Sequence, residues 1–386
     1  MRKEKLIIIL TVLVDVIGFG IVIPILPFYV TEFGASPLTV TAMFASFSFC
    51  SFFSAPFLGA LSDRIGRRPV LLISILSTSI GWFVFASATS IPFLFLGRVI
   101  DGLAAGNFTI AQSYLVDISG DEKERTANLG IIGATFGVGF MLGPVFGGLL
   151  SKVSHAFPFW IAGAMALTNT IVAYFFLLET HHKREGLSPL SLNPLTPLFR
   201  AILNKTLRRV YIIWLLFMLA FVTSQSVFAL FVKDVFGFDS FVTGSLFTSV
   251  GIIVALNQAV LLKRFWLKYF AEHTLIVAML AILTVGALLV TTRSLPLFYV
   301  SLALFGTGQS ILRVVISSQV AGDADPKMKG ESMGILSAIM SACMVIGPLI
   351  SGALFEFHHT LPYFAGAFYL LVALMISFGT TLVKRA

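Results

Sequence analysis
Four ionisable side chains, Asp15, Arg98, Asp101 and Arg313, stand inside long apolar runs of the 386-residue chain. A charge at the centre of a spanning helix costs about 2.5 kcal/mol or more, so each is a functional candidate by default. A carboxyl is a proton carrier that needs no cofactor, and Asp15 and Asp101 could each serve as one. Arg98 lies three residues before Asp101 on the same helical face, so the two can pair, and breaking the pair is a candidate switch. The competing role for Asp101 is a static ion pair, and for Asp15 a hydrogen bond between helices. Arg313 falls near the inner surface, where a long side chain can snorkel into the headgroups.

Asn107, Gln112, Gln225, Asn257, Gln258 and Gln309 are uncharged polar residues within apolar segments. They are candidate lining for a substrate cavity, with bonding between helices as the plainer role. The 39 phenylalanines suit a pocket for lipophilic cations, although most such rings face lipid. All six histidines, at 155, 181, 182, 273, 358 and 359, fall between the apolar runs. No H-E-x-x-H, phosphate-binding loop or dinucleotide fingerprint is present, so a metalloprotease or nucleotide-dependent enzyme is disfavoured, and neither metal nor cofactor is expected. Cys50 and Cys343 lie in apolar runs as inert thiols.

The elements that must position these residues follow from composition. The chain is 57% hydrophobic and 11% charged, with a mean hydropathy of +0.96, too few charges to solvate a soluble globule. Apolar runs long enough to span a bilayer fall near 6–30, 40–61, 70–88, 91–117, 128–150, 157–178, 210–232, 241–262, 274–291, 296–320, 331–355 and 361–383. The first has the basic start of a signal peptide but no small-residue cleavage site, and reads as a retained spanning helix. A net charge of +8 and a pI near 9.6 do not indicate nucleic acid, because the basic residues are not gathered on a soluble face. With the N-terminus inside, 21 of the 26 Lys and Arg fall on the inner side, which places both termini in the cytoplasm.

The polar segment 179–209 separates a first six-helix half, 1–178, from a second, 210–386, and reads as a cytoplasmic linker. The halves also repeat. At a constant offset of 204, Gly130, Gly143, Pro144 and Gly148 match Gly334, Gly347, Pro348 and Gly352. Such repeats mark transporters whose substrate site lies near the bilayer midplane. The expected fold is therefore an all-α integral membrane protein of twelve helices in two six-helix repeats, with each half finding its partner in the same chain as a monomer.

Between the second and third spans stands "GALSDRIGRRPVLL", residues 59–72. Topology alone would need only its arginines. Gly59 allows close helix approach, Gly66 a tight turn, and Asp63 can accept from a helix N-terminus, which together suggest a structural latch. Gly59, Asp63, Arg64, Gly66, Arg67 and Arg68 resemble the G-x-L-x-D-R-x-G-R-[KR] signature of the major facilitator superfamily. That resemblance implies a charge cluster with Asp117 and the 331–335 segment, closed in one transport state and open in another. The second-half copy, "LLKRFWLKYFAEH", keeps basic charge but loses the glycine-aspartate frame.

"GRVIDGLAAG" (97–106) is similar to the family's R-x-x-x-G signature. "GFMLGPVFGG" (139–148), with Gly139, Gly143, Pro144, Gly147 and Gly148, is similar to the motif of exporting antiporters, where glycines and the proline would permit packing and bending. With "DVIGFGIVIPILPFY" (15–29) these make the whole chain resemble the twelve-span drug/proton antiporters, tetracycline exporters among them. The resemblance implies a proton-coupled exporter in the inner cell membrane, its partners a small-molecule substrate, protons and the lipid bilayer. Tetracycline in particular is not implied, because the second-half spans lack the acidic residue those exporters usually carry. Another small solute, such as a sugar, amino acid, siderophore or lipid, is the alternative cargo.

Overall fold
A computed structural model describes residues 3–180, 195–204, 206–325 and 328–383, and its regular structure is helical throughout, with no strand among those residues. The first half contains α1 (Lys3–Thr31), α2 (Pro37–Ile65), α3 (Arg67–Ala86), α4 (Ile91–Leu103), α5 (Asn107–Asp117), α6 (Glu122–Leu150) and α7 (Phe157–Phe176). A short α8 (Thr196–Leu203) precedes α9 (Arg208–Ser226), α10 (Phe228–Phe236) and α11 (Ser240–Leu256). A π-helical stretch (Asn257–Trp266), α12 (Leu267–Tyr269), α13 (Glu272–Val290), α14 (Leu295–Asp323), α15 (Lys329–Phe357) and α16 (Leu361–Val383) complete the order. With α4 joined to α5, and α11 to the π-helical stretch and α12, twelve helices are long and apolar enough to cross a membrane. The twelve expected spans are all present.

Four local features depart from the sequence reading. The loop between the second and third spans shrinks to Gly66, since α2 runs to Ile65 and α3 starts at Arg67. Gly66 makes this possible with φ 109°, a value only glycine takes at low cost. The fourth span breaks at residues 104–106, and the Ser54 hydroxyl donates to the carbonyl of Gly102 at 2.7 Å, satisfying a group that the break frees. The eighth span continues helically past 262 to Tyr269, so Lys263, Arg264 and Lys268 stand on a helix and not in a loop. Within the expected linker lie α8 and the start of α9, while residues 181–194 and both chain ends, 1–2 and 384–386, lie outside the described residues.

The chain forms two compact units. The first comprises 1–35, 46–193 and 239–248, and the second 36–45, 194–238 and 249–386, so each unit takes in one short segment from the other half's sequence. The first is filled by Ile8, Val12, Leu71, Ile75, Ile110 and Tyr114, all buried. The second is filled around Trp214, Phe217, Met218, Leu280, Leu283 and Ile316.

Glycines set the closest approaches. A Cβ on Gly143 would stand 2.7 Å from the Cα of Gly20, and one on Gly139 2.9 Å from Val16 Cβ, so α6 and α1 meet backbone to backbone. Gly147 meets Ile21 and Ile25 in the same way, and Gly148 meets Phe241. The second unit repeats this: Gly347 abuts Val222 and Thr223, and Gly352 abuts Leu38 and Thr41. The 204-residue repeat thus preserves the same helix-on-helix contacts in both units.

Candidate functional site
The first unit gathers its intramembrane charges into one cluster. α3 and α4 can approach closely because Gly81 and Gly97 face each other: a Cβ on Gly97 would lie 2.8 Å from the Gly81 carbonyl oxygen. This presses Asp101 against α3, where a Cβ on Gly81 would stand 2.9 Å from that of Asp101. Arg98 Nη1 donates to Asp101 Oδ2 at 3.2 Å, and both side chains are almost wholly buried. The Arg98 guanidinium carbon lies 4.4 Å from the ring centre of Phe47 and 5.2 Å from that of Trp82. The cation therefore has two kinds of partner, a carboxylate and a pair of aromatic faces.

Asp15 joins the cluster through Asn107, the first residue of α5. The break at 104–106 sets the new helix so that Asn107 Nδ2 donates to Asp15 Oδ1 at 3.0 Å and to Thr78 Oγ1 at 3.2 Å. Thr78 also faces Asp101. A chain of neighbouring polar groups thus runs Asp15, Asn107, Thr78, Asp101, Arg98. Arg98 Nε and Asn107 Oδ1 are buried without a hydrogen-bond partner, so the chain retains open valences. Two carboxyls, a cation and uncharged relays in apolar surroundings can hold a proton and register its arrival as the loss of an ion pair.

Of the proposed lining residues, Asn107 belongs to this chain. Asn257 is buried and structural, donating to the Ile253 carbonyl at 2.9 Å and accepting from Trp266 Nε1 at 3.0 Å. Gln258 is exposed and makes only a long contact with the Ser310 carbonyl. Gln112, Gln225 and Gln309 are half-buried. Sequence reasoning missed Thr78, Trp82 and Phe47, residues that carry no charge to flag them; only the four-residue spacing of Thr78 and Trp82 on one face of α3 could have done so.

Arg313 stands ten residues before the end of α14 at Asp323. Its guanidinium carbon lies 4.7 Å from the centre of the Phe221 ring.

Where α2 meets α3, Arg67 is the hub. It pairs with Asp63 at 2.5 Å and Asp117 at 3.0 Å and donates to Ser62 Oγ at 2.7 Å. The expected acceptor at the start of α3 was Asp63. Instead Glu179 takes the backbone N–H groups of Arg67 at 2.9 Å and Arg68 at 3.1 Å, while Asp63 is occupied by the Arg67 side chain. Glu179 was missed because it follows the sixth span, over a hundred residues away. Arg68 donates to the Tyr174 carbonyl at 2.6 Å, and Arg64 is half-buried on the last turn of α2. Gly59 is not required for close approach, because a Cβ there would be in ordinary contact with Thr109 at 3.6 Å. In the 331–335 segment, Glu331 pairs with Arg200 of α8 at 2.6 Å.

The profile of the Major Facilitator Superfamily matches residues 8–331. The class C tetracycline resistance protein of Escherichia coli is 32% identical, over 92% of this chain and 90% of that one. The quinolone resistance protein NorA of Staphylococcus aureus is 28% identical over 94% and 93%. Among solved structures, the nucleoside transporter NupG superposes with a TM-score of 0.78 at 15% identity, covering all of both chains. The human organic anion transporter MFSD10 (TETRAN) does so at 0.72 with 22% identity, over 98% of this chain and all of that one.

Proposed function
Since the chain belongs to the major facilitator superfamily, and is thus a multi-pass membrane transporter and not an enzyme, we propose that it is a proton-coupled exporter of drugs or other small hydrophobic compounds, working by alternating access. The observation that carries this reading is the buried Arg98–Asp101 pair linked to Asp15 through Thr78 and Asn107. The export direction is supported by the likeness to tetracycline and quinolone resistance proteins.

In this mechanism a proton on Asp101 neutralises the carboxylate and releases Arg98, which the Phe47 and Trp82 rings then hold. Asp15 is the second proton position, linked towards the first through Asn107 and Thr78. Moving one charge through 100 mV supplies about 2.3 kcal/mol, enough for about fifty-fold accumulation. The Arg67 hub, with Asp63, Asp117 and the Glu179 cap, is the inner latch of the first half, and the α1–α6 glycine seam is the packed surface that the antiporter motif provides. The protein acts as a monomer in the bacterial inner membrane, with residues 1–178 and 210–386 as its two functional halves and both termini in the cytoplasm.

The test is the internal pH of sealed proteoliposomes as lipophilic cations, tetracycline and neutral drugs are added in turn, with wild type beside Asp15→Asn and Asp101→Asn. Compound-evoked proton flux that disappears in a variant supports the reading and identifies a carrier. Flux unchanged in both variants removes these carboxyls from the coupling, and no flux with any compound from folded wild type removes the coupling itself.

A further inference from the structure
The two units treat their buried arginines differently. Arg98 has Asp101 beside it. The repeat offset of 204 carries Arg98 and Asp101 onto Leu302 and Phe305, so the second unit has no copy of that ion pair. It has instead Arg313, which makes no ion pair or hydrogen bond with any described residue and whose Nε is buried without a partner. The acids of that unit, Asp234, Glu272, Asp323, Asp325, Glu331 and Glu356, all stand within three residues of a helix end. None of them pairs with Arg313.

The surroundings of Arg313 are aromatic. Its guanidinium lies over Phe221, and Phe221 stacks on Phe305 with ring centres 5.8 Å apart and planes 11° from parallel. Phe305, Gln309 and Arg313 recur every four residues along one half-buried stripe of α14. Aromatic faces lower the cost of an intramembrane cation but do not neutralise it. A guanidinium with a free N–H edge matches the planar, two-oxygen geometry of a carboxylate.

We propose that Arg313 is the anion anchor of a substrate site in the second unit, and that the preferred cargo is an amphiphile with an aromatic body and a carboxylate. The body lies along Phe221 and Phe305, the carboxylate takes the open edge of Arg313, and Gln309 donates one turn away. This rests on the reading of the chain as an exporter of small hydrophobic compounds and names the cargo class within it. The compound brings the negative charge that the unit itself lacks.

The experiment is equilibrium binding to the full chain, purified in detergent, of three tritiated probes with one ring and one linker: 1-pyrenebutyrate, its primary amide, and 4-(1-pyrenyl)butyltrimethylammonium. Wild type is expected to bind the carboxylate about tenfold or more tighter than the amide. Arg313→Gln should lose that preference while its amide affinity stays within about twofold, and Arg313→Lys should keep part of it. A wild type that prefers the amide or the ammonium overturns the proposal without recourse to any variant, and so does an unchanged preference in monodisperse Arg313→Gln. Proton flux in proteoliposomes is read separately. Carboxylate preference without flux would keep the anchor and remove the coupling, whereas flux without carboxylate preference would do the reverse.

Discussion
Replacing Asp101 with asparagine leaves Arg98 buried beside a neutral amide. Removing one partner of a buried ion pair costs about 3–5 kcal/mol, because the other charge remains uncompensated. Arg98 already leans on Phe47 and Trp82, and the asparagine can still accept one hydrogen bond, so the lower end, about 3 kcal/mol, is expected. That is a change of about 150-fold in the unfolding equilibrium. Arg98→Gln/Asp101→Asn removes both charges together and should regain about 2 kcal/mol relative to Asp101→Asn alone. The assay is equilibrium unfolding of the purified full chain in mixed micelles, titrated with sodium dodecyl sulfate and followed by helicity, with proton flux measured on the same variants. If the single variant lay within about 0.5 kcal/mol of wild type, or the double variant were the less stable of the two, Arg98 and Asp101 would not form the pair on which the switch depends. Wild-type proton coupling in a folded Asp101→Asn variant would refute its role as a proton carrier.

At the glycine seam, Gly143→Val puts branched carbon where Gly20 Cα and the Ile17 carbonyl stand under 3 Å from any Cβ. It should destabilise by about 1–3 kcal/mol or more, while Gly130→Ala, which meets nothing within 4 Å, should be neutral; thermal melting distinguishes them. Glu179→Gln weakens the carboxylate cap on Arg67 and Arg68 and should cost about 1 kcal/mol in the same melt; no loss would remove the cap from the Arg67 assembly. Gly66→Ala forces φ 109° on a residue with a Cβ and drives that Cβ into the Glu179 carboxylate, so it should lower stability more than Glu179→Gln does. Asp63→Asn takes one carboxylate from Arg67 but leaves Asp117, and export measured by dye efflux should slow without being lost.

Apolar length made the twelve spans readable, because the bilayer gives spanning helices a narrow range of length and composition. Asp15, Arg98 and Asp101 were readable for the same reason, since an intramembrane charge stands out against an apolar background. What sequence could not show was how the charges meet. The route from Asp15 to Asp101 depends on the break at 104–106 and on Thr78, whose hydroxyl is indistinguishable in sequence from others that bond back to their own helix. Glu179 was hidden by long-range topology, and Asp63 was assigned its part because it was nearer in sequence. Arg313 was readable as an intramembrane charge, but its contact with Phe221, on a helix some ninety residues earlier, was not.

The repeat separates what holds this protein together from what works in it. Gly143 and Gly347 meet the first helices of their respective halves, and Gly148 and Gly352 meet residues 204 positions apart to within a few places, so the packing frame exists twice. The charges do not: Asp15 falls on Leu219, Asp101 on Phe305, and Arg313 on Thr109. Packing constraints act on each half alone, since each must close its own helix contacts. Proton and substrate sites act once per transport cycle, and a second copy would add another intramembrane charge at a cost of about 2.5 kcal/mol or more without adding a step. On the proposed reading, the asymmetry assigns proton chemistry to the first half and the cargo to the second, with its aromatic stripe and Arg313.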